Sequence, residues 1–534
     1  MFERPRTSGV AIIDATQFEL RFASKWFFLD NRAQDFRDLH PTRSGHDVLP
    51  KTAFRRLFVF WAPAAVLACQ ILLPVSRSSD VAFAAQPKIL AAATENIITP
   101  AIRDVGVYED LYARTLVLSD GTTKVALVAL DLGGLSPVAS ADRLRKIVHR
   151  ASGIPIENIA LICSHTHNAR SPEGDDWLRD KQPSTAVLPI EEAWFADLEI
   201  ESDHTRWLYG QIAESVKRAA SSLRPATLRT GRQHAQIGHN RRKMGDDGLM
   251  KMTPNLEGAV VPWVDVLEVV EATSDDVPSE KRIALLFSHA AHPVIVHETT
   301  EEIGPDFPGY AVNHLRRLQA AQGRSHEVTM FAQGCGGNIN GYPLRGGTAA
   351  ADAAGLSLAM SANQATSKMS TVDSGPIRIA SRRLALPLRV PTPEEARRWL
   401  SWRPGDPIRK AMVKAAEAGE PKFMPFPLTV LSIGDDLCFV LLAQDIFAEY
   451  QLFADKESSF GQTFVFGYVN GTGGYVGTKA DYDLGIYGGY ETSPLTSPSG
   501  SSYRFPPQPR VEAQIHEAIR EMLAEVDPAN ATER

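Results

Sequence analysis

ALICSHTHNARSPEG, residues 160–174, is the stretch on which the reading of this chain turns. An apolar run stops at Cys163 and gives way to Ser164-His165-Thr166-His167, with Pro172 and Gly174 close behind. A short apolar run bounded by polar and turn-forming residues is the pattern of a buried strand. In an extended segment residues i and i+2 share a face. His165 and His167 are therefore expected to converge on one ion or one substrate. Taken alone, the pair reads equally well as two hydrogen-bonded histidines at a strand end.

Working outward, strand and helix patterns alternate. Residues 113–120 and 124–135 form two apolar runs joined by Asp120-Gly121, a hairpin signal. Residues 141–153 have helical spacing and a glycine stop. Helical patterns recur near 203–223 and 309–323. Buried-strand patterns recur at 264–272, 282–289 and 328–334. A second half begins near Ile377. It contains a capped helix opening at Thr392-Pro393-Glu394, a hairpin turning at Gly434-Asp435, a strand at 463–471 and a last amphipathic helix from Val511 to Leu523. This predicts an α/β fold with mixed β-sheets flanked by helices, in one large domain over residues 90–534, with a loop at 492–509 before the terminal helix. Several strands end in polar residues, and such ends are where sites gather.

Four more segments carry candidate chemistry. FSHAAHPVIVHETTEEIGPDFPGYA, residues 287–311, holds His289, His292 and His297. Pro293 keeps His292 extended, so a second strand end offers a histidine. His289 and His297 read more simply as structural residues. MFAQGCGGNINGYP, residues 330–343, runs a strand into Gly334, Gly336, Gly337 and Gly341, which would let the backbone approach a ligand closely. It lacks the spacing of a nucleotide loop. Asp445 follows a fully apolar strand and needs a partner there. Finally, Tyr468, Tyr475, Tyr482, Tyr487 and Tyr490 lie among glycines between residues 467 and 491.

The whole chain has 534 residues, 44% hydrophobic and 22% charged, and a formal net charge of −7. That balance excludes broad nucleic-acid binding, which shows a basic excess. Residues 51–85 carry Lys51, Arg55 and Arg56, then an apolar stretch over 57–75, then Ala82-Phe83-Ala84. This is the order of a secretory signal, or of a membrane anchor if the 57–75 segment is retained. It predicts an extracytoplasmic protein. Residues 1–50 lie upstream as an N-terminal extension. Cys163, Cys335 and Cys438 show no metal-site spacing, and Cys163 and Cys438 are read as small buried hydrophobes.

The His-x-His does not continue into Asp-His, so the metallo-β-lactamase pattern is not followed. In their order, the segments CSHTHNARSPEG, GHNRR, AAHPVIV with GPDFPGYA, FAQGCGGNIN and the tyrosine-rich loop resemble the neutral/alkaline, non-lysosomal ceramidases. The resemblance covers roughly residues 95–500. It implies a zinc ion held by His165, His292, Asp445 and Tyr475. It implies His167, Arg241 and Tyr487 on the substrate side: His167 as proton carrier, Tyr487 contacting the substrate oxygen and Arg241 orienting the substrate.

The sequence also departs from that pattern. Ala443-Gln444-Asp445 stands where Pro-Gly-Glu is usual, one methylene shorter at the ligand. Asn340 stands where some members have Ser. The family's N-terminal glycine-rich turn is shortened around residues 99–106. Only a short tail follows Glu491, where larger members carry a C-terminal Ig-like β-sandwich.

The activity implied is hydrolysis of the N-acyl amide of ceramide or a related lipid to a fatty acid and a sphingoid base, with transient contact at a membrane surface. Two other readings stay open: a zinc hydrolase of the same fold acting on another amide or ester, and a non-catalytic envelope ligand-binding protein.

Overall fold

Residues 159–163 do form a strand, and the architecture is organised around where it and three others end. The computed structural model describes residues 89–100, 105–169, 191–200, 202–272, 278–495, 503 and 505–531. The N-terminal extension and the 51–85 segment lie outside the described residues, as do Arg170 and part of the 492–509 loop. Gln86–Arg534 forms one compact unit.

The first half contains β1 (Leu90–Ile97), β2 (Tyr112–Ser119), β3 (Lys124–Leu130), α1 (Val138–Ser152), β4 (Ile159–Cys163) and α2 (Asp203–Ser221). Next come β5 (Arg224–His234), β6 (Gly238–Met244), β7 (Met250–Asn255), β8 (Trp263–Ala272), β9 (Pro278–His289), α3 (Asp306–Ala321), β10 (His326–Gln333), β11 (Ile339–Gly341) and α4 (Thr348–Ala365). The second half adds β12 (Ser370–Thr371), β13 (Ile377–Pro387), α5 (Pro393–Trp402), α6 (Pro407–Ala418), β14 (Phe423–Ile433), β15 (Leu437–Leu442) and β16 (Asp445–Ile446). It closes with α7 (Ala448–Glu457), β17 (Gln462–Phe466), β18 (Tyr475–Val476), α8 (Lys479–Asp483), α9 (Gly489–Thr492) and α10 (Val511–Val526).

Local chemistry accounts for the boundaries. The β2–β3 hairpin turns where Asp120 accepts from the Thr122 and Thr123 amides and Gly121 takes φ 92°. Helix α1 stops at Gly153 in the left-handed region. Helix α5 opens with a capping box between Thr392 and Glu395.

A nine-stranded mixed sheet runs β10-β9-β8-β5-β1-β2-β3-β4, with β12 on β5. A four-stranded sheet runs β13-β14-β15-β17. The pairs β3/β4, β9/β10 and β15/β17 are parallel. The two sheets face one another: Leu116, Leu127, Leu267 and Leu286 of the first share a buried cluster with Leu431, Phe439, Phe464 and Phe466 of the second.

Helices cover both outer faces. Helices α1 and α2 pack on one half of the large sheet through Leu144, Ile147, Leu208 and Ile212, and α3 and α4 on the other half. Helix α10 lies on the small sheet through Ile515, Ile519 and Met522. The result is four layers, helix–sheet–sheet–helix, which is the mixed α/β arrangement expected. Strands β4, β9, β10 and β15 bring their carboxyl ends to one region, and there the chain leaves them for loops.

Candidate metal centre

The segment after β4 does not stay extended. The Ser164 amide still bonds to the Leu130 carbonyl, at 2.8 Å, but His165 turns into the left-handed region at φ 66°. The i/i+2 geometry of a strand is therefore not what joins the two imidazoles. The turn brings their rings to 5.1 Å, edge to face. It is backed by Gly133, where a Cβ would meet the Ala169 carbonyl at 2.6 Å and the Thr166 carbonyl at 3.1 Å. Only glycine fits there.

His165 and His292 are presented in the same way. His165 Nδ1 lies 2.5 Å from the Gly133 carbonyl, and His292 Nδ1 lies 2.6 Å from the Gly336 carbonyl. A carbonyl oxygen only accepts, so each Nδ1 carries the proton and each Nε2 is a bare lone pair. Both lone pairs aim at one oxygen, Asp445 Oδ1, at 2.9 Å from His165 and 3.8 Å from His292. His292 Nε2 is buried without a hydrogen-bond partner. The Asp445 carboxylate, 6% exposed, makes no hydrogen bond among the described residues. Three such groups converging in a largely buried space could hold a cation between them. Imidazoles whose far nitrogen is fixed by a carbonyl are the usual presentation of metal ligands. The ring nitrogens of His165, His167 and His292 lie within 4.8 Å of one another.

Tyr475 arrives through β18, which pairs in parallel with β16 so that Tyr475 lies directly opposite Asp445. Its ring stacks on His292 at 6.3 Å. Tyr468, to which the sequence assigned no role, is fully buried, stacks on His165 at 4.5 Å and places its hydroxyl 3.3 Å from His292 Nδ1. It wedges both imidazoles. His165, Gln444, Tyr468 and Asn470 are all non-glycine residues at positive φ. Such strain costs about 1–3 kcal/mol each and collects where geometry is enforced for function.

Arg241 is buried and spends its donors on the protein. It donates to Asn340 Oδ1 at 2.9 Å and to the Gly337 carbonyl at 2.8 Å. Its Nε lies 3.0 Å from Glu491 Oε1, near enough for an ion pair but not aligned as a hydrogen bond. Its cation faces the Tyr475 ring at 5.5 Å. The structure thus gives it a place behind Tyr475 rather than toward a substrate. Arg242 grips the other oxygen of Glu491 and also Asp481. Together these residues tie strand β6 to the tyrosine-rich loop.

Burial first, then the Arg241 charge, holds His292 well below the ordinary imidazole value. Desolvation by the surrounding protein first, then the His165 charge, pushes His167 the same way, although its side chain keeps an exposed face. Burial raises the Tyr475 hydroxyl above its usual value against the pull of Arg241.

The glycines after β10 approach protein, not open space. A Cβ at Gly337 would meet the Asp445 carbonyl at 2.5 Å, and one at Gly341 the His292 carbonyl at 3.0 Å. They let the segments that carry His292 and Asp445 pack closely against this loop.

Tyr487 is 52% exposed, and no hydrogen bond or ring contact joins its side chain to this cluster among the described residues. Tyr490 is the loop tyrosine set edge-on against Tyr475, at 6.0 Å. His297, read as structural, instead stands edge to face with His167 at 4.7 Å. His289 is structural: buried, with Nδ1 2.8 Å from the Trp263 carbonyl. His297 heads an acidic loop, and the turn there, with the Thr299 amide on the Val296 carbonyl, leaves it beside His167.

No family model matches the sequence, and no curated protein matches it. Solved structures share its fold, among them two ceramidases. A neutral ceramidase from Pseudomonas aeruginosa superposes with a TM-score of 0.55 at 17% identity, covering 82% of this chain and 74% of that one. A ceramidase complexed with C2 gives 0.55 at 15% identity, with 82% and 75% covered.

Proposed function

We propose that this protein is a zinc-dependent amidohydrolase that cleaves the N-acyl amide of ceramide or a related long-chain lipid. One observation carries the reading. Two Nε2 lone pairs, fixed by carbonyls behind them, converge on the Asp445 carboxylate in a buried site. The donor set of imidazoles, a carboxylate and a phenol suits zinc, with His165, His292, Asp445 and Tyr475 as its holders. When bound, zinc supplies a Lewis acid and an acidified water.

The chain's own residues do the rest. His167 stands beside the His165 and His292 rings, and neither of its nitrogens has a hydrogen-bond partner among the described residues. It is free to take the proton of the attacking water and give it to the leaving nitrogen. The water oxygen bonds to the acyl carbon. The C–N bond breaks with its electron pair on nitrogen, which takes the proton. Tyr490, set edge-on against Tyr475, would donate to the substrate oxygen, the part the resemblance gave to Tyr487. The ordered sequence motifs and the shared fold support a lipid amide as substrate. The charge and apolar order of residues 51–85 supports an exported protein.

The test is turnover of a labelled ceramide and a panel of other N-acyl lipids and esters, with and without chelator. Chelator-sensitive release of fatty acid is expected. Full activity in a zinc-free sample would sink the mechanism. Hydrolysis of esters alone would favour the related-hydrolase reading.

A further inference from the structure

Next to the metal centre lies a cavity of about 380 Å³. One wall is apolar: Ile98, Leu111, Leu132, Leu208 and Ile303 line it and are all buried. The opposite side is the loop after His297, whose Glu298, Glu301 and Glu302 also line the cavity and reach solvent. His167 and His297 line it where it meets the metal centre. Glu298 is already paired, 2.7 Å from Arg345 and 3.3 Å from His297. Glu301 and Glu302 have no cationic partner among the described residues.

A second observation points to a ligand. His204 lines the same cavity and is 4% exposed, yet its ring makes no hydrogen bond or ion pair among the described residues. Its ring contact is with Trp207, at 5.6 Å. Burial holds it down to about 4, so it is neutral at neutral pH. A buried imidazole without a partner is costly unless a ligand supplies one.

From these we infer that the cavity is the subsite for the amine-bearing half of the substrate, a long-chain amine that carries a hydroxyl. The inference rests on the amidohydrolase reading and deepens it. His167, which would deliver the proton to the leaving nitrogen, lies on this cavity's wall. The nitrogen leaves as an ammonium, and two carboxylates with no cationic partner among the described residues favour that charge. The same carboxylates disfavour a fatty acid, which would leave by another route. The apolar wall takes the alkyl chain, and His204 takes the hydroxyl. At ~30 Å³ for a water-sized unit, the cavity holds about a dozen such units, roughly a twelve-carbon chain.

The test is calorimetric titration of the full chain, stripped of metal with chelator so that a carboxylate gains nothing from zinc. The probes are alkylamines of four to sixteen carbons, 2-aminododecan-1-ol and laurate, each below its micelle concentration. Amine affinity should rise about fourfold per methylene and level off near twelve carbons. Dodecylamine should bind at least tenfold tighter than laurate, and the double variant E301Q/E302Q should erase most of that preference. The amino alcohol should outbind dodecylamine severalfold, and His204→Leu should remove the difference. Leu208→Trp should abolish binding of all three.

Laurate binding as tightly as the amine, or affinity that keeps climbing to sixteen carbons, would overturn the inference. The chain-length series uses the unaltered protein, so it decides even if Leu208→Trp does not fold. Amine binding without amide turnover in the zinc-loaded protein would sustain the cavity and sink the amidohydrolase reading. Turnover without amine binding would do the reverse.

Discussion

The converging lone pairs make a prediction whose sign depends on metal. Consider Asp445→Asn with both imidazoles in the Nδ1–H form that their carbonyl contacts call for. Without metal, the wild-type site sets a buried carboxylate against two bare nitrogens, one of them at 2.9 Å, with nothing to donate. Asparagine supplies an N–H to the same place. It replaces a repulsive contact by a hydrogen bond worth about 1 kcal/mol and removes a buried unpaired anion whose penalty is several kcal/mol. The variant should therefore be more stable than wild type by about 1–3 kcal/mol. A unit the size of Gln86–Arg534 unfolds with an entropy near 0.9 kcal/mol/K at the scale of ~2.1 cal/mol/K per residue, so its Tm should rise by about 1–3 °C.

With zinc at a hundred times the wild-type Kd, wild type gains ~2.7 kcal/mol. A variant whose Kd is a hundredfold weaker gains only about 0.4 kcal/mol. The order of the two melting curves should close up or reverse. Scanning calorimetry of both proteins, with chelator and with zinc, reads this directly. An Asp445→Asn protein that melts below wild type in chelator, or that gains as much from zinc, would refute the geometric argument.

His165→Ala should lose both bound zinc and turnover, whereas His167→Ala should keep about one zinc by elemental analysis and lose turnover by roughly 10²–10⁴-fold. Tyr490→Phe should lower kcat at least tenfold and Tyr487→Phe less than twofold, because only Tyr490 faces Tyr475; the reverse order of kcat values would restore Tyr487. Glu491→Gln leaves Arg241 and Arg242 without their shared anion, which should cost about 3–5 kcal/mol in thermal melts. Burial holds His289 down to about 4, against an ordinary 6.5. The unfolded chain therefore takes the proton first, and the stability His289 contributes is lost as pH falls from 6.5 to 4, by ~3 kcal/mol. His289→Gln should flatten that part of the stability–pH curve, and an unchanged slope would count against the assignment.

Which parts of this were legible in the sequence follows from range. Periodicity and punctuation are local, so β4, the Gly153 stop, the Thr392 cap and the Asp120 and Gly434 turns could be read from a dozen residues at a time. The meeting of His165, His292, Asp445 and Tyr475 is not local. It came from a resemblance, and the fold assembles it through the β16–β18 register and the β4 and β9 exits. What failed to read was side-chain direction. A strand-end rule predicted that His165 and His167 share a face, but a left-handed turn at His165 sets them edge to face instead. The resemblance pointed to Tyr487, which the 3₁₀ turn at Gly485–Tyr487 leaves half exposed, while Tyr490 in the next helical turn faces Tyr475. The resemblance put Arg241 on the substrate side, whereas its donors go to Asn340 and the Gly337 carbonyl.

The site's strain follows from the same cause. Four positive-φ residues and two glycines that admit no Cβ hold segments far apart in sequence at distances no single segment prefers. Such a cost of several kcal/mol is tolerated only if something repays it. In the metal-free chain nothing does, because the lone pairs it brings together repel. A bound cation would turn the same arrangement from a liability into a set of favourable contacts. Gly337 permits the close approach at Asp445, whose carbonyl lies 2.5 Å from where a Cβ on that glycine would stand.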